Sequence, residues 1–359
     1  MWNVCIGTYT EPILFGTGEV FPGKGKGIYF CTFAEGALRC LHSVETRNPS
    51  YLCADESRRR IYAVNELKTY LGQPGGGCTE LSYQPDGRMQ ILHTAAIGGA
   101  DPCHVAMAPN GEFLGIANFA GGSLSILPLD AEGGILPEKR QVFPHSGKSR
   151  NPQRQSCPHA HSVLFLPGGQ QILVPDLGTD TLVSYRCQSG QVTPDPAGSC
   201  KTAPGNGPRF GEFSTDGQHF YLVNELGCSV THYFLQGSVL AEQETLPTLP
   251  PEYADGNICS DLHLTPNGKY LYASNRGHDS ICCFSLSPDG CMKFLHCTPC
   301  GGKTPRNFAI DPRGEYMLVG NQDSDTISIF AICRDGQLFL RDQVAFPSPV
   351  CIRFLLNPV

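Results

Sequence analysis

With 359 residues, a formal net charge of −7 and only 16% charged residues, the chain lacks the basic surplus that nucleic-acid binding requires. The opening stretch Met1-Trp-Asn-Val-Cys-Ile-Gly-Thr-Tyr9 has no basic segment followed by a long apolar run, so it reads as neither a signal peptide nor a membrane span, and a cytoplasmic protein is expected. The 18 cysteines fall inside strand patterns or beside turns with no Cys/His metal spacing, and free thiols used as small apolar core residues account for them.

In chain order, residues 2 to 9 read as a strand, and Gly27-Ile-Tyr-Phe-Cys-Thr-Phe33 with Ala37-Leu-Arg-Cys-Leu41 as two more around a Glu35-Gly36 turn. Between them, Glu11 to Lys26 is a Gly-rich insertion. Its Gly23-Lys-Gly-Lys-Gly27 run lacks the Gly-Lys-Ser/Thr ending of a phosphate loop, so a flexible surface loop is expected. From there one unit recurs: an apolar run, a Gly turn, and a second apolar run ending in Asn or Asp. The ends are Asn65, Asn118, Asp176, Asn224, Asn275 and Asn321, a period of about fifty residues. Gly75-Gly-Gly77 is expected at a hairpin tip, and Pro144 to Cys157, with Lys148, Arg150 and Arg154, as a polar loop that is either solvated or overhangs a site.

A period of this length, made of short strands without helices, predicts an all-β chain, a single seven-bladed β-propeller spanning residues 1–359 with four antiparallel strands per blade. The N-terminus supplies only three strands of its blade. Pro347-Ser-Pro-Val-Cys-Ile-Arg-Phe-Leu355 is expected to add the innermost, closing the ring by pairing of the terminal strands.

Equivalent positions in the repeats can be compared within this one sequence. Stepping back from each terminal Asn or Asp to the start of the preceding strand gives Ser50-Tyr51, Cys103-His104, His161-Ser162, Arg209-Phe210, Ser260-Asp261 and Arg306-Asn307; one residue after it come Glu66, Phe119, Leu177, Glu225, Arg276 and Gln322. A propeller gathers such ends around its channel. The candidate catalytic set is therefore His161, Arg209, Glu225 and Arg276, with Arg306, His104, His159, Gln322 and Glu66 as candidate substrate contacts. Guanidinium forks suit an anionic substrate, and an imidazole or carboxylate can move a proton. His159-Ala-His161 could place two rings on one strand face, but no third metal ligand has a matching spacing, and no Gly-x-Ser-x-Gly elbow is present. No metal or cofactor is expected.

Gly7-Thr-Tyr-Thr10, Asn48-Pro-Ser-Tyr-Leu52, Pro102-Cys-His-Val105, Pro158-His-Ala-His-Ser162, Gly207-Pro-Arg-Phe210, Val223-Asn-Glu-Leu226, Asn275-Arg276, Thr304-Pro-Arg-Asn-Phe308 and Gly320-Asn-Gln322 together resemble the lactonase family of seven-bladed propellers. That family includes the bacterial propeller-type 6-phosphogluconolactonase and the fungal carboxy-cis,cis-muconate cyclase. The resemblance assigns its active-site His, Glu and two Arg to His161, Glu225, Arg209 and Arg276, and puts Arg306 in its Pro-Arg-x-Phe motif. Phe210 departs from the family's Gly-Pro-Arg-His. The implied activity is hydrolysis of a small anionic sugar lactone, 6-phosphogluconolactone foremost, with His161 or Glu225 activating water. The alternatives are cyclisation of a carboxylated muconate and, outside enzymes, an interaction scaffold.

Overall fold

The structure is a computed structural model that describes residues 1–188 and 190–356. Outside strands, turns and loops it has two single-turn 3₁₀ segments, Pro137–Lys139 and Pro196–Gly198. Turn chemistry sets the hairpins: Gly217 and Gly268 adopt φ of 71° and 67°, a region that costs glycine nothing. Each turn joins an inner strand to a largely buried second strand, as in Pro208–Phe213 with the fully buried His219–Asn224.

Seven blades result, each with four antiparallel strands, and in six of them the strands run in sequence order from the channel outward; the fourth adds the short strand Cys200–Lys201. In the first blade the order is Pro349–Leu355, Trp2–Thr8, Gly27–Ala34 and Ala37–Glu45, so the C-terminal strand is innermost. It contacts the inner strands Pro49–Asp55 and Pro305–Ile310 on either side, as a closed ring requires.

The core lies between blades, because each middle strand presents apolar side chains to both faces. Cys282 and Cys283 illustrate this: Cys282 packs with Tyr221, Val223 and Val230 of the fifth blade, Cys283 with Phe308, Met317 and Val319 of the seventh. All 18 cysteines are unpaired.

The terminal Asn of the repeat is a structural tie. Asn118 Nδ2 donates to Ser123 Oγ and Ser125 Oγ (3.1 and 2.9 Å), Asn224 Nδ2 to Ser229 Oγ and Thr231 Oγ1 (3.0 and 2.9 Å), and Asn321 Nδ2 to Thr326 Oγ1 and Ser328 Oγ (3.2 and 2.9 Å). In the fourth blade Asp176 instead accepts from His145 Nδ1 at 2.6 Å and from the His159 amide at 2.9 Å.

Three local expectations change. Gly75–Gly77 is not a hairpin tip; Leu71 and Gly72, with φ of 48° and 73°, turn between Thr69–Tyr70 and Gln73–Pro74. A Cβ on Gly76 would lie 2.2 Å from Pro102 Cδ, so the glycines permit a close pass instead. The Glu11 to Lys26 insertion folds into a two-stranded hairpin, Ile13–Leu14 against Val20–Phe21, and packs Phe15 and Phe21 on Tyr9. Finally, His159 to Ser162 is not a strand: the inner strand of blade four is only Leu164–Phe165. Pro175 opposite has no N–H, so His161 donates to the Pro175 carbonyl at 2.9 Å but receives no ladder bond from Pro175 in return.

Candidate active site

The inner strands share one irregularity. In blades two, three, five and seven the register slips between Pro49 and Tyr51, Pro102 and His104, Pro208 and Phe210, and Pro305 and Asn307. Each slip leaves one bulged residue, namely Ser50, Cys103, Arg209 or Arg306. A bulge re-aims its side chain, and a proline can open such a strand because the first position owes no ladder donor. Val350 is the skipped residue in the first blade and Ser260-Asp261 the skipped pair in the sixth; the broken strand at Pro175 serves His161. These residues ring the upper channel. Above them, from the residue after each repeat-ending Asn, come Glu66, Phe119, Glu225, Arg276 and Gln322, which line a cavity of about 590 Å³ together with His161 and Arg306.

Glu225 is the centre of charge. Its Oε2 accepts from Arg209 Nε at 2.9 Å and Arg276 Nη2 at 2.8 Å, and its Oε1 from Arg154 Nη2 at 2.5 Å. Burial alone would raise its pKa, but Arg276, Arg154 and Arg209 hold the carboxyl well below the usual carboxylate range. Arg209 Nη1 and Arg276 Nη2 also donate to the Ser260 and Cys259 carbonyls. Burial and the Glu225 partner act in opposition on Arg276, whose pKa falls to about 10. Its Nε is buried without a hydrogen bond among the described residues.

His161 Nε2 stands 3.8 Å from Glu225 Oε2, and its Nδ1 3.7 Å from Cys103 Sγ. Burial first, and then Arg209, press its pKa well below the ordinary imidazole value despite Glu225. The ring is a neutral base in a cationic pocket. Arg306 is different again. Its guanidinium lies over the Tyr9 and Phe15 rings at 5.3 and 5.0 Å, and its contact with Glu66 Oε1, at 4.0 Å, is longer than a hydrogen bond. Tyr9 donates to Glu66 Oε2 at 2.8 Å.

The structure thus brings eight of the nine sequence candidates to the cavity or the channel beneath it: His161, Arg209, Glu225, Arg276, Arg306, Glu66, Gln322 and, deeper in the channel, His104. His159 sits elsewhere. The bulged residue of blade three is Cys103, which leaves His104 one layer lower, stacked on Tyr51 at 4.2 Å and accepting from the Val163 amide at 3.3 Å. His159 packs against Phe119 at 4.5 Å and bonds the Phe119 carbonyl, outside the residues that line the cavity. Sequence reasoning left out Tyr9, Phe15, Cys103 and Asp101, and it left Arg154 open between solvent and site. Tyr9 follows its strand as Glu225 follows its own, which is the signal that could have found it. Among the described residues no group of three or more His, Cys, Asp and Glu side chains is placed to hold a metal ion.

The geometry has known counterparts. The sequence is 28% identical over 358 residues to the 6-phosphogluconolactonase of Bacillus subtilis, covering 98% of this chain and 97% of that one. It is 31% identical to a 6-phosphogluconolactonase of Formosa agariphila over 81% of this chain and 83% of that one. The structure of the periplasmic gluconolactonase of Pseudomonas aeruginosa superposes with a TM-score of 0.90 at 30% identity over 99% of both chains. The family described as lactonase, 7-bladed beta-propeller matches residues 3–354. With blade count, ring closure and sequence in agreement, the chain belongs to the lactonase family of seven-bladed β-propellers.

Proposed function

We propose that this protein hydrolyses a sugar δ-lactone, 6-phosphogluconolactone first among them, to the open acid. The observation that carries the reading is a neutral, buried His161 facing the cavity beside a carboxylate that anchors three guanidiniums. Glu225 has its basicity suppressed by those partners, so His161 is the group left to take a proton from water. The water oxygen bonds to the lactone carbonyl carbon, and Arg276 and Arg306 meet the negative charge that develops on the carbonyl oxygen. The ring carbon–oxygen bond then breaks, and the proton held on His161 passes to the leaving ring oxygen.

The three guanidiniums also repel a divalent cation from the same space, which supports hydrolysis without a metal. Thiols packed throughout the core as small apolar side chains support a reducing, cytoplasmic setting.

The test is hydrolysis of freshly generated 6-phosphogluconolactone, followed through its dehydrogenase against the spontaneous rate, with and without a chelator. Chelator-insensitive acceleration is expected, falling by about 10²–10⁴ in His161→Ala with the fold retained. A folded wild-type protein that accelerates neither this lactone nor its unphosphorylated form would overturn the proposal.

A further inference from the structure

In blades three to seven the turn after the second strand follows one plan, and the fifth blade departs from it. Four residues beyond the terminal Asn or Asp stand Gly122, Asp180, Cys228, Asp279 and Asp325, all with φ between 44° and 52°, a region that glycine and aspartate enter more readily than other residues. The three aspartates hold the start of the next blade. Asp180 Oδ1 accepts from the Gly207 amide at 2.6 Å, Asp279 Oδ1 from that of Thr304 at 2.8 Å and Asp325 Oδ1 from that of Ser348 at 2.9 Å. The fifth blade puts a thiol in this place. Cys228 Sγ donates to the Asn257 carbonyl at 3.2 Å and accepts from Asn257 Nδ2 at 3.3 Å.

A second thiol shares the same polar cage. Asn257 Nδ2 also donates to Asn275 Oδ1 at 3.2 Å, which accepts from Cys259 Sγ at 3.4 Å. Thr248 Oγ1 stands 3.0 Å from the Cys228 carbonyl and 3.1 Å from Cys259 Sγ. Cys228 is half-buried beside the exposed Gly227, and Cys259 is fully buried behind it. The Cys259 thiol first, and then Asn257, bring the Cys228 pKa down to about 7 against its burial, whereas burial and Cys228 push Cys259 well up. An accessible thiolate next to a protonated, buried thiol is the arrangement of an oxidisable cysteine with its resolving partner. Both touch the frame of the cavity. Glu225 opens the turn that Cys228 ends, the Cys259 amide donates to the Glu225 carbonyl at 3.0 Å, and the Cys259 carbonyl accepts from Arg276 Nη2 at 2.7 Å.

We propose that Cys228 and Cys259 form a hydroperoxide-sensitive modification site that controls the Glu225–Arg276 pair. The Cys228 thiolate attacks the peroxide: an S–O bond forms, the O–O bond breaks, and the departing oxygen takes a proton and leaves as water or an alcohol. Cys259 then attacks the Cys228 sulfur. The S–S bond forms, the S–O bond breaks, and hydroxide leaves with the Cys259 proton as water. The two thiols have given two electrons to the peroxide, and a dithiol reductant returns them. Bringing the sulfurs to about 2.05 Å from each other takes them out of their bonds to Asn257, Thr248 and Asn275 and moves the backbone that carries Glu225 and anchors Arg276. The thiol site stands by itself; its effect on turnover rests on the lactonase reading above.

The experiment exposes the reduced protein to hydrogen peroxide, blocks the remaining thiols and maps linked peptides by mass spectrometry. Turnover of 6-phosphogluconolactone is followed before oxidation, after it and after dithiothreitol. We expect a Cys228–Cys259 linkage, a fall in kcat/KM of about tenfold or more, and recovery on reduction. Cys228→Ser should keep its turnover under peroxide, and Cys259→Ser should accumulate a Cys228 sulfenic acid that dimedone traps. Cys31 and Cys40, whose sulfurs lie 2.8 Å apart in the outer strands of the first blade, give the internal comparison, since linking them should leave turnover unchanged. No linkage between Cys228 and Cys259 overturns the site, and equal inactivation of wild type and Cys228→Ser overturns its control of the cavity. Linkage in a protein that turns over no lactone in either state overturns the lactonase reading and leaves the thiol site standing.

Discussion

His104 and His263 share the channel floor in opposite charge states. Burial, opposed by Asp261, takes His104 down to about 3, whereas His263, at 3.2 Å from both Asp261 Oδ2 and Glu212 Oε2, is lifted to about 10 against its own burial. The linkage consequences have opposite signs. His263 binds its proton more tightly folded than unfolded, so its stabilisation is complete below the ordinary pKa of 6.5 and is lost as pH rises through about 10. His104 stays neutral when folded, so stability falls as pH drops from 6.5 toward 3 and the unfolded chain gains a proton that the folded one refuses. Thermal melts should therefore show a fall in Tm between about pH 6.5 and 10 that is shallower in His263→Gln by about 2 °C or more, and an acid-side fall that is shallower in His104→Gln. Glu225→Gln should act differently. It strands three guanidiniums that were paired with one carboxylate, and a loss of about 3–5 kcal/mol of stability is expected together with loss of activity; an unchanged urea midpoint would contradict the geometry. Among single residues, the charged ones at strand starts stood out in the sequence because they interrupt apolar runs. Cys103 and Val350 occupy equivalent places but look like ordinary core residues, so their aim at the channel became visible only with the bulge.

The unit that repeats is a hairpin plus a tie. Asn at the end of the second strand was legible as punctuation, and its bonds to the third strand explain why an amide recurs there. Replacing Asn224 by Leu removes donors to the buried Ser229 and Thr231, and a loss of about 1–3 kcal/mol is expected from urea unfolding with the m-value unchanged. The bulges were not legible, because ladder register depends on pairing that no single strand displays. Nor was the break at His159 to Ser162, although Pro175 caused it from the facing strand. The Glu11 to Lys26 hairpin was hidden for a different reason. Its glycines suggest freedom, yet a Cβ on Gly25 would sit 2.0 Å from Thr8 Oγ1, and one on Gly27 2.2 Å from the Val44 carbonyl oxygen. They mark crowding, and the hairpin they permit carries Phe15 to Arg306.

The ring as a whole was the most legible feature, since blade count follows from length and period, and the closing strand from the one blade left a strand short. Closure is also where the molecule is most exposed to damage. A chain ending at Ser348 leaves Trp2–Thr8 as a bare edge and uncovers Val4 and Ile6, which are fully buried in the intact ring. Such a truncation should aggregate on expression, and adding a peptide of residues 349–355 should recover part of the soluble fold; a monomeric, cooperatively melting truncated protein would show that the inner strand is dispensable. The same arrangement constrains biosynthesis. A ribosome adding about 5–20 residues per second needs tens of seconds to travel from Trp2–Thr8 to the strand that covers it. Throughout that interval the nascent sheet offers an unpaired apolar edge, so holdase chaperones should be found on the emerging chain until its last blade is out. The cavity itself, with Phe15 from the insertion in the first blade and Arg306 from the seventh blade, comes into being only once both sides of the closing seam have been made.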